Sequence, residues 1–349
     1  MPSAVFRGAL FRVLLLVTVG VLAGCSGAPA GPGSSAASPV PSTSAAGATP
    51  SPTAPSASPA ACTIFPGDNV WHADVSRLPV RSDSATLVAS IGTTRGVHAD
   101  FGSGVYGGGP IGIPVTTVPA GTRGVAVTFQ YASESDRGPY PIPAGAQIEG
   151  GPSSDGDRHV ILYDQAGCRA YELYAAYPNG DGTWRAGSGA AFDLRGNALR
   201  ARGATSADAA GLSILAGLVR WDEVAAGRID HAIRVTAPKT RNSFVWPARH
   251  AASSSSSAAL PPMGQRFRLK STVDTSKLPS QARIVAEAMK KYGVILADNG
   301  SPWYISGAPD SHWNNDALHA LGTLTGADFE AVDTSSVMLS PDSAACRPS

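Results

Sequence analysis

Arg158-His159-Val160-Ile161-Leu162-Tyr163, Asp164-Gln165-Ala166-Gly167 and Cys168-Arg169-Ala170-Tyr171-Glu172-Leu173-Tyr174 follow one another without a break, and the segment through Tyr177 reads as a β-hairpin. Two runs of β-branched, aromatic and aliphatic residues flank a short polar turn ending in Gly, the local chemistry of a tight antiparallel reversal. An even loop closing around Gln165 and Ala166 sets His159 opposite Glu172 and Val160 opposite Tyr171. Side chains alternate along a strand, so Val160, Leu162, Tyr171 and Leu173 are expected to cover a core while His159 and Glu172 share the other face.

The rest of the chain repeats this short-strand character. Val125 to Tyr131 alternates apolar with small and polar residues, Trp184 to Leu194 gives another strand region, and Arg228 to Thr236 places Ile229, His231, Ile233 and Val235 in one row. In Gln265 to Ser271, Phe267 and Leu269 oppose Arg266, Arg268 and Lys270, a basic row that reads as a solvated face. Asp298-Asn299-Gly300-Ser301 between Val294–Ala297 and Trp303–Ile305 is a type I′ hairpin signal, pairing Leu296 with Trp303. Helices are few. Ser82 to Gly92 and Ser311 to Leu321 read as short ones, and Ser280 to Tyr292 as the best, with Ile284, Val285, Ala288 and Met289 in a stripe and Gly293 as its stop. Leu212 to Val219 is apolar without a deciding period. Together these predict a mainly-β domain, an antiparallel sandwich or jelly roll with short helical insertions.

The front of the chain is of another kind. Arg7 and Arg12, the apolar run Val13 to Leu22 and the small residues before Cys25 form a signal peptide over residues 1–24. The tetrad Leu22-Ala23-Gly24-Cys25 resembles the lipobox of bacterial lipoproteins, which implies cleavage before Cys25 and acylation of its thiol. Residues 25–61 are the acylated Cys and a tether of Ala, Ser, Pro, Gly and Thr without a charge or ring, unable to bury a core. A single extracytoplasmic domain is then expected over 62–349, lipid-anchored to the cell membrane. Such a compartment permits disulfides, and Cys62, Cys168 and Cys346 leave one bridge and one thiol. Cys62 with Cys168 is the preferred pair, because Cys346 lies in a polar tail; Cys62 with Cys346 stays open.

Composition excludes some partners. With 27 basic and 26 acidic residues and no basic stripe, nucleic acid is not an expected partner. The Gly-rich stretch Phe101 to Pro110 is followed by Ile111-Gly112-Ile113-Pro114, without the Lys and Ser/Thr of a phosphate-cradling loop, so no nucleotide is expected. Asp155-Gly156-Asp157 with His159 lacks the spacing of a calcium or zinc motif and reads as a polar turn; no metal or cofactor is predicted.

The chemistry-bearing candidates are scattered. His159 and Glu172 form either an acid/base unit or a cross-strand ion pair. Asp222 and Glu223, beside Trp221, offer two carboxyls and a ring, as a sugar site requires, although Asp222 also suits a helix cap. His231 is a proton shuttle if its row lines a cleft and a core histidine otherwise. Arg158, Trp221, Arg234 and His250 are candidate substrate-binding residues.

Phe65 to Trp71, Asp157-Arg158-His159, Tyr171 to Tyr174, Thr205 to Leu212, Leu218 to Val224 and Leu296 to Gly307 resemble a family of secreted bacterial proteins with no established reaction. The resemblance runs from about Cys62 to Val332 and implies one shared domain architecture, with no catalytic role to carry over. The expected function is action on envelope or environmental polysaccharide, as a hydrolase or lyase. The alternatives are a non-catalytic carbohydrate- or protein-binding lipoprotein and a structural envelope protein.

Overall fold

The computed structural model describes residues 62–347, so the signal segment, Cys25 and the tether lie outside the described residues. In chain order the elements are α1 (Ser84–Ile91), β1 (His98–Asp100), β2 (Val105–Tyr106), β3 (Gly109–Pro110), β4 (Val115–Thr117), β5 (Val127–Phe129), β6 (Val160–Asp164), β7 (Arg169–Tyr174), β8 (Tyr177–Pro178), β9 (Trp184–Ala186) and β10 (Ser188–Asp193). They continue with α2 (Ile214–Gly217), α3 (Trp221–Ala225), β11 (Ile233–Ala237), β12 (Arg266–Leu269), α4 (Ser280–Lys291), β13 (Val294–Asn299), β14 (Tyr304–Ser306), α5 (Asn315–His319) and β15 (Phe329–Ala331). Strand outweighs helix, and the chain is mainly β.

The strands form a six-stranded mixed sheet ordered β1-β14-β11-β13-β12-β15, a four-stranded sheet ordered β10-β7-β6-β4, a three-stranded sheet ordered β5-β9-β8 and the small β2–β3 ribbon. The β6–β7 hairpin is the centre of the second sheet. All of Val160, Ile161 and Leu162 are fully buried, because both faces of this sheet are covered. Ile161, Ala170, Ala190 and Phe192 face the main core, whereas Val160, Leu162 and Leu173 pack with Val127, Phe129 and Trp184 of the three-stranded sheet. Gly187 separates β9 from β10, so the predicted strand Trp184 to Leu194 serves two sheets.

The hairpin register differs from expectation by two residues. Val160 pairs with Leu173, Ile161 with Glu172 and Leu162 with Tyr171. The loop is Gln165 to Cys168: Asp164 Oδ1 accepts from the Gly167 N–H at 2.8 Å, and Cys168, not Gly167, takes the left-handed position at φ 50°. That same residue is bridged to Cys62. A slip of two preserves parity, so the predicted apolar face survives while His159 loses Glu172 as its partner.

Strands β13 and β14 are not paired as expected. They do not form a hairpin, because β11 lies between them, parallel to β13 and antiparallel to β14. Four residues, 300–303, are enough to step across one strand at the ~4.8 Å spacing of a sheet. The β11–β13 ladder carries a bulge: Val235 pairs with Leu296, but Thr236 pairs with Asp298, so Ala297 is the extra residue. The basic row of β12 is not solvated either. Arg266 and Arg268 turn inward, where Arg266 donates to the carbonyls of Tyr292 and Val70 and Arg268 to those of Val75 and Leu78.

Between the four- and six-stranded sheets lies the segment 205–219. Ser188 Oγ–H donates to Ser206 O at 2.6 Å from one side, and on the other Ala210 N–H donates to Ala297 O and Val219 N–H to Ser306 O. The unclassified apolar stretch Leu212 to Val219 is thus a fully buried connector containing the four-residue α2. Gly211 has φ 72°, and a Cβ there would sit 2.5 Å from Ala204 O, so only glycine fits this bend.

Candidate functional site

Where this connector meets the ends of β11 and β13, a cleft of about 370 Å³ opens. Its walls include Tyr131, Glu134, Asp157, Tyr174, Asp208, His250 and Asp298. The floor is held by Arg234 on β11. Its Nε and Nη2 donate to both Asp208 oxygens at 3.1 and 2.9 Å, Nη2 donates to Asp298 Oδ2 at 2.9 Å, and Nη1 donates to Ser306 Oγ at 2.8 Å. Arg234 and Thr236 share a face of their strand, and the extra residue Ala297 turns Asp298 onto that same face. Without the bulge, Asp298 would point to the opposite side.

One guanidinium therefore serves two carboxylates. Asp208 is completely enclosed and takes the bidentate contact, while Asp298 keeps 23% of its side chain open toward the cleft. Burial, only partly offset by Arg234 and reinforced by the charge of Asp208, holds Asp298 well above the usual carboxylate range. Burial of Arg234 works against its charge, but the surrounding carboxylates keep the guanidinium cationic. Asp157 is exposed at the cleft, and its carboxylate makes no hydrogen bond or ion pair among the described residues. Glu134 Oε2 accepts from Thr205 N–H at 3.2 Å and lies 3.8 Å from His250 Nε2, whose Nδ1 faces Ala209 O at 2.8 Å. Burial, and then the charge of Asp157, raises the Tyr174 phenol.

Behind this layer sit the two residues first nominated. His159 is buried, with Nδ1 2.6 Å from Glu149 Oε2 and Nε2 3.2 Å from Ala207 O. An acceptor at each ring nitrogen suits the doubly protonated imidazolium. Burial alone would push it down; the Glu149 carboxylate outweighs that and lifts His159 to about 9, and burial in turn fails to prevent Glu149 from being held below its ordinary value. Glu172 is fully buried and accepts from Ser213 Oγ–H, Ile214 N–H and Leu215 N–H at 2.7 to 3.0 Å. Burial pushes it up to about 7 against those three donors. Both residues meet the connector, His159 at Ala207 and Glu172 at the start of α2, and so position the wall that carries Asp208.

The remaining candidates separate into other places. Arg158 is buried at φ 52°, donates to the carbonyls of Ala176, Pro152 and Ser154, and lies 4.1 Å over the Tyr177 ring. Glu223 accepts from Arg220 N–H and is ion-paired to Arg220 and to His231, whose other ring nitrogen faces Ala232 O. Burial opposes its charge, but His231 and Arg220 hold Glu223 below the usual range. The capping role expected of Asp222 falls to Glu223; Asp222 is 79% exposed. Trp221 stacks on His312 and meets Trp313 edge-on. None of these lines the cleft. His250 does, and Arg234 organises it; Asp157, Asp208, Asp298 and Glu134 were not among the nominated residues. A signal existed for Asp208, since an acid inside Ala207-Asp208-Ala209-Ala210-Gly211-Leu212 must find a buried cation.

Cys62 and Cys168 are disulfide-bonded, and Cys346 is free and buried. No helix among the described residues is long and apolar enough to cross a membrane. No family model, curated protein or solved structure matches the chain.

Proposed function

We propose that this protein is an exported, lipid-anchored glycoside hydrolase acting on a neutral polysaccharide in the cleft between Tyr131, Asp157, Tyr174, His250 and Asp298. The observation that carries the reading is the sharing of Arg234 by Asp208 and Asp298. One cation cannot neutralise both carboxylates, and the proton's natural place is on Asp298, the member of the pair whose side chain is open toward the cleft. A carboxyl held protonated beside a solvated carboxylate is the pair that glycosidic cleavage needs. Asp298 donates its proton to the glycosidic oxygen as the bond to the anomeric carbon breaks. Asp157 takes a proton from the water that attacks that carbon, and the sugar hydroxyl and the new reducing end leave together. Tyr131 and Tyr174 offer flat ring faces for sugars.

Hydrolysis is favoured over elimination on two grounds. Lyases act on uronates, and the carboxylates of Glu134 and Asp157 in the cleft wall repel them. A tyrosine base requires a lowered phenol, whereas Tyr174 is raised. The test is release of reducing ends from a panel of soluble neutral and anionic polysaccharides by the purified protein, its Asp298→Asn variant and its Asp157→Asn variant. Turnover of a neutral glycan lost in both variants, with binding retained, supports the assignment. Unsaturated products, or turnover unchanged in Asp298→Asn, refute it, and binding without turnover by the unaltered protein assigns a non-catalytic carbohydrate receptor instead.

A further inference from the structure

A second cavity, of about 450 Å³, lies along the β1–β14 edge, with His98, Asp100, Tyr106, Tyr304, Asn315 and His319 in its wall. His98 stacks on Tyr304, ring centroids 4.1 Å apart and planes within 27°. Tyr106 stands at its mouth on the β2–β3 ribbon with 83% of its surface exposed, next to Val105 at 71%. They are the two most exposed large apolar side chains of the described residues, and they are adjacent. A phenol ring held in water beside a cavity is a surface awaiting an apolar face.

The wall of this cavity is linked to that of the cleft by one short relay of residues. Asp100 pairs with Ser306 in the β1–β14 ladder, and Ser306 Oγ accepts from Arg234, the residue that holds Asp208 and Asp298. The Asp100 carboxyl feels the charges of Arg234 and of Asp157, which lines the first cleft. The two openings thus flank the same strand end, and each falls within the ~300–1,000 Å³ of a single ligand pocket.

We infer that the second cavity is a distal subsite for the same glycan chain, with Tyr106 and the His98–Tyr304 stack as platforms for sugar-ring faces and Asp100 and Asn315 as partners for hydroxyls. The substrate is then a polymer of neutral sugars long enough to span both cavities. This rests on the hydrolase reading for the direction of cleavage, but the binding claim is separable from it.

The experiment pairs two readouts on the purified full-length protein and on Tyr106→Ala, an exposed position whose folding is checked by the melting temperature. Retardation in native gels containing mixed-linkage glucan, xyloglucan or galactomannan reports binding without chemistry. Reducing-end release compares polymer with trisaccharide. The expected result is that Tyr106→Ala loses retardation and lowers kcat/KM on the polymer about tenfold relative to the trisaccharide, the weight of one ring–ring contact. His98→Ala should do the same. Retardation without hydrolysis, relieved by Tyr106→Ala, keeps the subsite and overturns the hydrolase; hydrolysis with the polymer-to-trisaccharide ratio unchanged in both variants overturns the subsite and keeps the hydrolase. No retardation and no hydrolysis with any glycan overturns both.

Discussion

Arg234 reaches Asp298 at 2.9 Å only because Ala297 adds one residue to its strand, so a β-bulge decides which side of the sheet the carboxyl occupies. The ion pair and the cleft are consequences of the same local irregularity. Bulges are common where a sheet must re-aim a functional side chain, and here the extra residue is anchored, since the Ala297 carbonyl accepts the Ala210 N–H at 2.9 Å.

Replacing Arg234 tests that arrangement. Arg234→Met leaves Asp208 enclosed without a cation and is expected to cost about 3–5 kcal/mol, read as a shift of the urea midpoint. Arg234→Lys keeps the charge but cannot bond both Asp208 oxygens, Asp298 and Ser306 together, and should fall between the two. A Met variant as stable as the unaltered protein would show that the pair is not enclosed as described.

The rate should depend on pH with a defined sign. Asp298 must be protonated to act as the acid, so kcat/KM on a neutral glycan falls as pH rises through its elevated value. That basic limb should lie well above ~4, where an ordinary aspartate titrates. A basic limb at the ordinary aspartate position would remove Asp298 from the acid role.

Stability should carry the mark of His159. Its folded value of about 9 exceeds the ordinary imidazole value of 6.5, so its contribution is complete below about pH 6.5 and is lost as pH rises toward 9. The effect is on the order of 3 kcal/mol. Glu172, raised from 4.5 to about 7, has already spent its own effect by then: stability from this group declines as pH climbs from about 4.5 to about 7 and is flat above. Urea midpoints at a series of pH values between about 7 and 9 therefore isolate His159, and His159→Gln should abolish the slope there. A flat profile in the unaltered protein would mean that the imidazole is not charged.

The disulfide closes a loop with a sequence separation of 106. By chain entropy, its loss in Cys168→Ser is expected to cost about 4–5 kcal/mol. Alkylation of the denatured, non-reduced chain should label Cys346 and spare Cys62 and Cys168; label on Cys168 would disprove the pairing.

Local chemistry explains which parts of this fold were legible in the sequence. Helix α4 was, because its apolar stripe and its Gly293 stop are contained within the helix and its end. The faces of β6 and β7 were as well, since a two-residue slip does not change parity, but their register depended on Cys168 occupying the left-handed turn position. What failed was non-local. Nothing within residues 294–305 reveals that β11 inserts between their two strands, and nothing in the alternation of Arg266 and Arg268 reveals that backbone carbonyls await them inside. The site shows the same divide. Arg234 and His250 were nominated from their neighbours in sequence, whereas Asp298 read as a turn residue, because its direction is fixed by a bulge against another strand.

The bridge between Cys62 and Cys168 also has a mechanical meaning. Tension arriving along the chain at residue 62 passes through the covalent bond to the tip of the β6–β7 hairpin, and from there spreads into four hydrogen-bonded strands. The backbone from 63 to 167, with Asp157 and β1, is bypassed as the covalent route between residues 62 and 168, although β4 and β6 within it share the load through the sheet. A domain pulled from its amino-terminal side would therefore load its central hairpin before the segment that carries Asp157.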